Sequence, residues 1–479
     1  MSNRPETNKQ SCPVYKKCGG CQLQNLSYPE QLEFKQRKVE KLLKRFCTVE
    51  KIIGMKTPYH YRNKVQAAFY TDKKGKIISG VYQSGSHHVV GIDSCQTEDV
   101  IADKIIVAVR KLLPSFRMTT YNEDTGKGFL RHILVKRGFA TNQIMLVLVT
   151  GTPVFPSKNN FVKAILKQFP EITTIVQNIN PYRTNLVLGD NQKVLYGKGY
   201  IEDILCGCKF RISPKSFYQI NPVQTEVLYG KAIEFANLKG NETVLDTYCG
   251  IGTIGIIAAK NGAGNVIGAE LNGDAVRDAI VNARANNLKN IRFYKADAGE
   301  FMREAADEDE KPDIVFMDPP RAGSDRKFLD SLIKMSPKKV VYVSCNPETL
   351  ARDLAYLTQN SPYKAQKIQP VDMFPHTAHI ETVVLLSQLK QKPDDYINVT
   401  IELDDMDVTS AETKVTYDEI KKYVAEHNDG MKVSNLYISQ VKRKCGIEVG
   451  KNYNLPKNED SRQPQCPEDK ERAIVEALE

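Results

Sequence analysis

The stretch Asp313–Leu350 reads DIVFMDPPRAGSDRKFLDSLIKMSPKKVVYVSCNPETL. Two apolar runs in it, Ile314–Met317 and Val340–Val343, each stop on residues that carry chemistry. The first ends in Asp318-Pro319-Pro320-Arg321, the second in Cys345-Asn346-Pro347. A short β-branched or aromatic run halted by Pro or Asn reads as a buried strand with a functional loop at its carboxyl end. In open α/β sheets that end is where ligands bind. The stretch therefore predicts a carboxylate and a thiol at one edge of one sheet.

Working outward, VLDTYCG, a helix from about Ile254, NVIGAEL, a helix over 273–286, IRFYKADA and the final VVLLSQ continue the strand–helix alternation. That is the pattern of a doubly wound, Rossmann-like α/β sheet, expected over residues 213–389. The loop SPKSFYQINP (213–222) leads into a helix over 223–236. Gly250, Gly252 and Gly255 match G-x-G-x-x-G, and Glu270 lies 20 residues beyond Gly250 at the end of the next strand. The glycines permit close backbone approach to a ligand, and the carboxylate can accept from ribose hydroxyls. A nicotinamide cofactor would fit. So would the adenosyl group of S-adenosylmethionine, which is favoured by Asp246 opening the motif, Asp297 after the third strand and Asp318 after the fourth.

The Pro-Pro step fixes two φ angles and holds Asp318 in a rigid loop, although such a step also serves as a plain turn. Cys345, at a strand tip before Asn-Pro, is poorly placed as core filler, and a thiolate suits addition to an electron-poor carbon. The C6 of uracil is such a carbon, and C5 gains the nucleophilicity to take a methyl group only after a thiolate adds there. Its proton must then leave to a base. Glu381, in PHTAHIETVVLL, immediately precedes an apolar strand, and half-burial there would raise its pKa toward that task. His376 and His379 are rivals for the same role, and His-x2-His-x-Glu also admits a metal reading.

The N-terminal segment, residues 1–58, opens with Cys12, Cys18 and Cys21 in a C-x5-C-x2-C cluster. Three thiolates so close suit zinc or an iron–sulfur cluster, with Cys95 the expected fourth ligand and Cys47 its competitor. Ser27-Tyr-Pro-Glu30 is a capping box that starts a helix to about Phe46. Its apolar stripe is Leu32, Val39, Leu42, Leu43 and Phe46, and Lys35, Arg37, Lys38, Lys41, Lys44 and Arg45 are expected on the opposite, solvated face.

Over 59–212 short alternating runs (VQAAFY, IISGVYQ, HHVVGID, HILVKRG, QIMLVLVTG, TTIVQNI, NLVLGD) and one helix near 100–113 predict a mostly antiparallel β region. Tyr61-Arg62-Asn63-Lys64, Arg131-His132 and Lys136-Arg137 interleave basic and aromatic residues as an RNA surface would. Residues 390–479 form a small α+β extension of unknown role. In it YINVTIELDDMDVT reads as strand, 416–427 and 433–443 as helices, NEDSRQPQCPEDKER as linker, and Cys445 and Cys466 as inert.

The whole chain has 479 residues, 41% hydrophobic and 26% charged, with no apolar run near the ~18 residues of a membrane span. With a polar N-terminus this points to a soluble, cytoplasmic protein with no membrane partner. Eleven cysteines, an odd number, then argue for metal or catalytic use over disulfides. Of the net charge of +10, residues 1–64 carry 14 Lys+Arg against 5 Asp+Glu, which favours a nucleic-acid partner or a solvated helix face.

Together the C-x5-C-x2-C cluster with a distant Cys, FYQIN, DTYCGIGTIG, GAEL, DPPRAG, VSCNP and HTAHIE, in that order over residues 12–388, resemble the RNA (uracil-5-)-methyltransferase family of the TrmA/RumA type. The resemblance implies a class I S-adenosylmethionine-dependent fold, Cys345 as nucleophile and Glu381 as proton-abstracting base. It implies cofactor contacts from Gln219, Tyr248, Glu270, Asp297 and Asp318, and a [4Fe-4S] cluster on Cys12, Cys18, Cys21 and Cys95. Cluster-bearing members act on 23S rRNA, so a monomeric 23S rRNA enzyme is expected. A tRNA uridine or RNA cytosine C5 methyltransferase and a non-catalytic RNA-binding protein are the alternatives. The chain departs from many rRNA members in lacking a small β-barrel before the cluster motif and in carrying the extension after residue 389.

Overall fold

A computed structural model of the chain describes residues 12–83, 86, 88–184, 186–308, 311–388, 417–428, 430–444 and 466–478. The chain divides into two compact units, residues 1–391 and 392–479. In the first, the strands up to residue 212 are β1 (Lys64–Thr71), β2 (Ile77–Tyr82), β3 (Val89–Gly91), β4 (Leu130–Arg137) and β5 (Ile144–Thr150), followed by β6 (Ile172–Ile179), β7 (Asn191–Tyr196), β8 (Ile201–Leu205) and β9 (Cys208–Ile212). β1–β7 form one sheet in the order 3-2-1-4-5-6-7, and β8–β9 form a separate hairpin. The β1–β7 pairing is antiparallel except between β5 and β6, which run parallel. The helix Lys158–Gln168, buried through Phe161, Val162 and Ile165, makes that crossover possible. Of the run NLVLGD (185–190), expected as a strand, the described residues 186–190 precede β7 as a loop. β4 and β5 are buried at almost every position because both faces of the sheet are covered. Ile133 and Leu148 pack on Ile105 and Ile165 on one side. Leu134 and Val147 pack with Phe210 and Leu228 on the other.

The doubly wound region follows as β10 (Thr243–Asp246), β11 (Asn265–Glu270), β12 (Ile291–Lys295), β13 (Ile314–Met317), β14 (Lys339–Ser344), β15 (Tyr363–Val371) and β16 (Glu381–Gln388). Their order is 12-11-10-13-14-16-15. β10–β14 are parallel, and β16 runs antiparallel between β14 and β15. The order reverses between β10 and β13, the place where such sheets open a ligand crevice. Because β16 is reversed, its first residue lies at the same edge as the last residue of β14, with Ser344 opposite Thr382.

The helix Tyr28–Leu43 begins with the expected reciprocal Ser27–Glu30 capping box. Val39 and Leu43 are fully buried in the core shared with Tyr342 and Ile368. Residues 49 and 53 bridge to Ile368 and Val371, so this segment lies along β15. Lys35, expected on the solvated face, is instead wholly buried, its Nζ donating to Asp372 Oδ1 at 2.5 Å and to the Phe374 carbonyl at 3.0 Å. A lysine at the boundary of an apolar stripe faces inward when a buried carboxylate meets it, a partner 337 residues away that helical periodicity does not see.

The second unit packs helices Tyr417–His427, Asn435–Lys444 and Glu468–Glu476 around Ile420, Val424, Ile438, Val441 and Ile474. The last helix replaces part of the expected linker, while YINVTIELDDMDVT and Cys445 lie outside the described residues. Among the described residues no helix is long and apolar enough to cross a membrane.

Candidate active site

β10, β11, β13 and β14 deliver Asp246, Glu270, Asp318 and Cys345 to one edge of the second sheet, and the reversed β16 adds Glu381. Behind β10 the chain turns through Gly252, whose φ of +82° and 2.8 Å gap between an added Cβ and the Phe293 ring leave no room for a side chain. The Gly250 N–H donates to Glu270 Oε2 at 3.1 Å, and the Asn272 N–H to Oε1 at 2.7 Å, which fixes that carboxylate's direction. Asp246 accepts from the Gly255 N–H at 2.8 Å through Oδ2, whereas its Oδ1 is buried with no partner.

These groups border a cavity of about 210 Å³ whose walls include Gln219, Tyr229, Tyr248, Thr253, Glu270 and Asp318. A wider cleft of about 450 Å³ adjoins it through Phe217, Gly250 and Glu270 and carries Arg211, Lys215 and Arg277. Burial, opposed by the Gly255 N–H and reinforced by Asp318 and Glu270, pushes Asp246 up to about 7. Burial alone does the same to Asp318. Carboxylates kept this way, one with an orphaned oxygen, are unfavourable in the empty fold and suit a cationic or hydroxyl-bearing ligand. The donor set fits an adenosyl sulfonium: Glu270 toward a ribose diol, and Asp246 and Asp318 as negative charge close by.

The Cys345 loop and the Asp318 loop are locked to each other. Asn346 Nδ2 and Thr349 Oγ1 donate to the Arg321 carbonyl at 3.1 and 3.2 Å. Below them Asp353 Oδ2 accepts from the Ser324 N–H at 3.0 Å and from the Tyr342 hydroxyl at 2.7 Å. Burial, then Glu381, then Asp318 push the Cys345 thiol up to about 11, and the Arg321 guanidinium opposes them. Glu381 is buried, and desolvation followed by Asp318 lifts it well above the usual carboxylate range, again against Arg321. Cys345, Glu381 and Asp318 therefore share a desolvated corner in which the Arg321 guanidinium opposes the shifts of the first two, and burial with like charge disfavours their joint ionisation.

Of the residues singled out from the sequence, Gln219, Tyr248, Glu270 and Asp318 border the cavity, and Cys345 and Glu381 stand beside Asp318. Asp297 does not border it: its Oδ1 caps the helix Ala298–Asp307 by accepting from the Gly299 and Glu300 N–H groups at 2.9 and 3.1 Å. His376 has both ring nitrogens engaged, Nδ1 with Gln31 at 3.2 Å and Nε2 with the Pro58 carbonyl at 2.9 Å, which removes it as a base. His379 is half-buried, with its ring edge-on to Phe374.

Among the described residues no group of three or more His, Cys, Asp or Glu is gathered closely enough to hold a metal ion, which sets aside the His-x2-His-x-Glu reading. The Cys21 thiol nonetheless feels Cys95, Cys18 and Cys12, and burial first and these neighbours after it push it up to about 12. The two observations differ in reach, since charge acts over longer distances than metal bonds. The four cysteines share a neighbourhood without meeting at bonding distance.

Sequence reasoning missed Tyr229. It is 3% exposed on the helix Pro222–Ala236, hydrogen-bonds Thr253 and Gln219, and faces Asp318 and Asp246. That helix is buried on most of its circumference, which hides a functional tyrosine among core residues. Arg131 and Lys136, expected at the surface, are buried against protein partners, and Arg137 is partly exposed. Arg131 pairs with Glu123 and donates to the Asn180 and Tyr182 carbonyls, Lys136 Nζ donates to the Ser213 and Ser216 carbonyls at 2.8 Å each, and Arg137 pairs with Asp99.

A profile of the family described as tRNA (Uracil-5-)-methyltransferase matches residues 183–389. A Bacillus cereus protein named an uncharacterized RNA methyltransferase is 44% identical over 392 residues, covering 81% of this chain and 85% of the relative. One of the same description from Listeria monocytogenes is 46% identical over 379 residues, 78% of this chain and 83% of the relative. Among solved structures, the Pyrococcus abyssi tRNA (uracil-54, C5)-methyltransferase in complex with S-adenosyl-L-homocysteine is 30% identical, covers 79% of this chain and 87% of its own, and superposes with a TM-score of 0.65. With these identities and coverages, this chain belongs to the RNA (uracil-5-)-methyltransferase family.

Proposed function

We propose that the chain methylates C5 of uridine in RNA, 23S rRNA first among the candidates, using S-adenosylmethionine and a transient bond from Cys345 to C6. The observation that carries this is the corner where Cys345, Glu381 and Asp318 meet beside the cavity with its orphaned Asp246 oxygen. When bound, S-adenosylmethionine supplies an electrophilic methyl group. Gln219, Tyr248, Glu270 and Asp318, which border the cavity, would hold it. Cys345 would lose its thiol proton to solvent, and the thiolate would form a C–S bond at C6 as the electron pair of the C5=C6 bond moves into the enolate. C5 would then take the methyl group as that group's bond to the sulfonium sulfur breaks, leaving a neutral thioether. Glu381, in its ionised form, removes the C5 proton, and the C–S bond breaks to return the thiolate. Raised basicity of Glu381 favours that step.

RNA carrying 5-fluorouridine tests the chemistry, because fluorine at C5 leaves no proton to abstract. A Cys345-dependent adduct stable to denaturing electrophoresis is expected, and its absence with normal methylation of unmodified RNA would sink the covalent route. Glu381→Gln is expected to accumulate the same adduct on natural RNA.

A second reading, uridine in tRNA, is favoured by the likeness to the P. abyssi enzyme. The 23S rRNA reading leans on Cys12, Cys18, Cys21 and Cys95 as ligands of a [4Fe-4S] cluster, which would be structural and take no part in methyl transfer. Transfer of labelled methyl groups to 23S rRNA and tRNA transcripts separates the two substrates. Iron and sulfide analysis of anaerobically purified protein tests the cluster, and a colourless zinc protein would exclude it.

A further inference from the structure

The parallel pair β5 and β6 sends its two following loops to one end of the first sheet, with Thr150 opposite Ile179. Those loops carry the three most exposed large apolar side chains of the described chain: Val154 at 74%, Leu186 at 71% and Tyr182 at 67%. The backbone that presents them is held from beneath by buried amides. Asn178 donates to the Gly189 carbonyl at 2.9 Å and accepts its N–H at 2.7 Å, and Asn180 Nδ2 donates to the Leu186 carbonyl at 2.7 Å. Arg131 Nη1 donates to the Tyr182 carbonyl at 2.7 Å. A Cβ at Gly189 would sit 2.1 Å from the Ile179 carbonyl, so the strand exit allows no larger residue. These buried groups fix the loop backbone, yet leaving its apolar side chains in water gains nothing for folding.

We propose that Tyr182, Leu186 and Val154, with Arg183 beside them, form a surface on which unpaired nucleotides of the RNA substrate stack. Three observations favour RNA over a protein partner. The family acts on RNA. Residues 181–187 contain Arg183 and no acidic residue; Arg183 Nη2 donates to the Asp124 carbonyl at 2.8 Å, and of the adjacent acidic residues Glu123 and Asp124, Glu123 is paired with Arg131. The same loop ends at Asp190, paired to Lys215 at 3.2 Å, and Lys215 and the exposed Phe217 line the wide cleft, so one connected segment runs from the tip to the cleft. Aromatic and guanidinium planes are what unstacked bases pack on.

This inference rests on the RNA-substrate reading above, so its test measures binding without methyl transfer. The full-length protein and its Tyr182→Ala/Leu186→Ala and Tyr182→Phe variants would be titrated against end-labelled 23S rRNA and tRNA transcripts, with S-adenosylmethionine affinity measured by calorimetry as the control. The double variant is expected to weaken RNA binding by about tenfold, with Tyr182→Phe near wild type and cofactor affinity unchanged. Unchanged RNA affinity in the double variant overturns the proposal, as does wild-type protein that binds neither transcript. Should the wild type bind RNA yet transfer no methyl group, the functional reading fails while the binding comparison still decides the surface.

Discussion

The two sheets of the first unit treat buried charge differently. In the β1–β7 sheet Arg131 pairs with Glu123, Lys136 donates to two carbonyls and Arg137 pairs with Asp99, and this network ties strands and loops together, although burial pushes Lys136 down to about 7 and the Arg137 Nε keeps no partner. At the carboxyl edge of the second sheet Asp246 keeps an oxygen with no partner, and burial lifts Asp246 and Asp318 up to about 7. In the first sheet each charged head group meets protein partners, whereas Asp246 and Asp318 border a cavity, and we read that difference as the one between scaffold and site.

The comparison breaks most directly at Cys345. Replacing it with Ala should lower methyl transfer by about 10⁴-fold or more while cofactor binding persists, read by labelled transfer and by calorimetry. A variant within tenfold of wild type would return the edge to scaffold. On the other sheet Arg131→Ala should leave transfer chemistry alone and lower stability by about 3–5 kcal/mol in urea unfolding, because it strands Glu123 and two loop carbonyls. A loss below about 1 kcal/mol would mean that the pair is not the brace described.

Asp246→Asn should do the reverse of Arg131→Ala and stabilise the ligand-free protein, on the order of 2 kcal/mol at pH 8, while weakening S-adenosylmethionine binding. The sign follows from the raised pKa. In the folded chain Asp246 titrates near 7, above the usual value of about 3.9. Its stabilising contribution is therefore full below about pH 4 and is lost as pH rises through 7. Asn does not titrate, so its advantage should vanish at low pH, and melting curves at pH 8 and pH 5 would show a shrinking difference. A variant less stable than wild type at pH 8 contradicts the idea of a site held in an unfavourable state. The smallest expected effect concerns the Cys345 thiol, pushed up to about 11. Its alkylation by iodoacetamide, followed by peptide mass spectrometry, should keep rising with pH through the neutral range. A plateau below pH 8 would mean that the thiol is already ionised.

Much of the second sheet was legible in the chain. β10, β13 and β14 are mostly buried apolar runs because parallel strands are covered on both faces, and β10, β11, β13 and β14 end on or just before a residue at the candidate site. The capping box at Ser27 was equally legible, since its partners are three residues apart. What was not legible depended on distant partners. Lys35 looks like a surface lysine until Asp372 is placed against it, and Lys136 looks like an RNA contact until Ser213 and Ser216 fold over it. Asp297 looks like Glu270 in sequence, yet it caps a helix at the edge of the region rather than bordering the cavity. Tyr229 gave no sign at all, being one apolar-looking position on a buried helix.

Local order and alternation therefore determined the doubly wound sheet, the residues at each strand tip and the family to which the chain is similar, because strand burial and strand endings are written in neighbouring residues. Only the tertiary structure decided which charges are satisfied and which are left waiting, because hydrogen bonding and desolvation depend on groups far apart in the chain. Asp318 and Cys345 came from one stretch of sequence. The reversal of β16 set Glu381 beside them, and the fold around all three is what raises their pKa values.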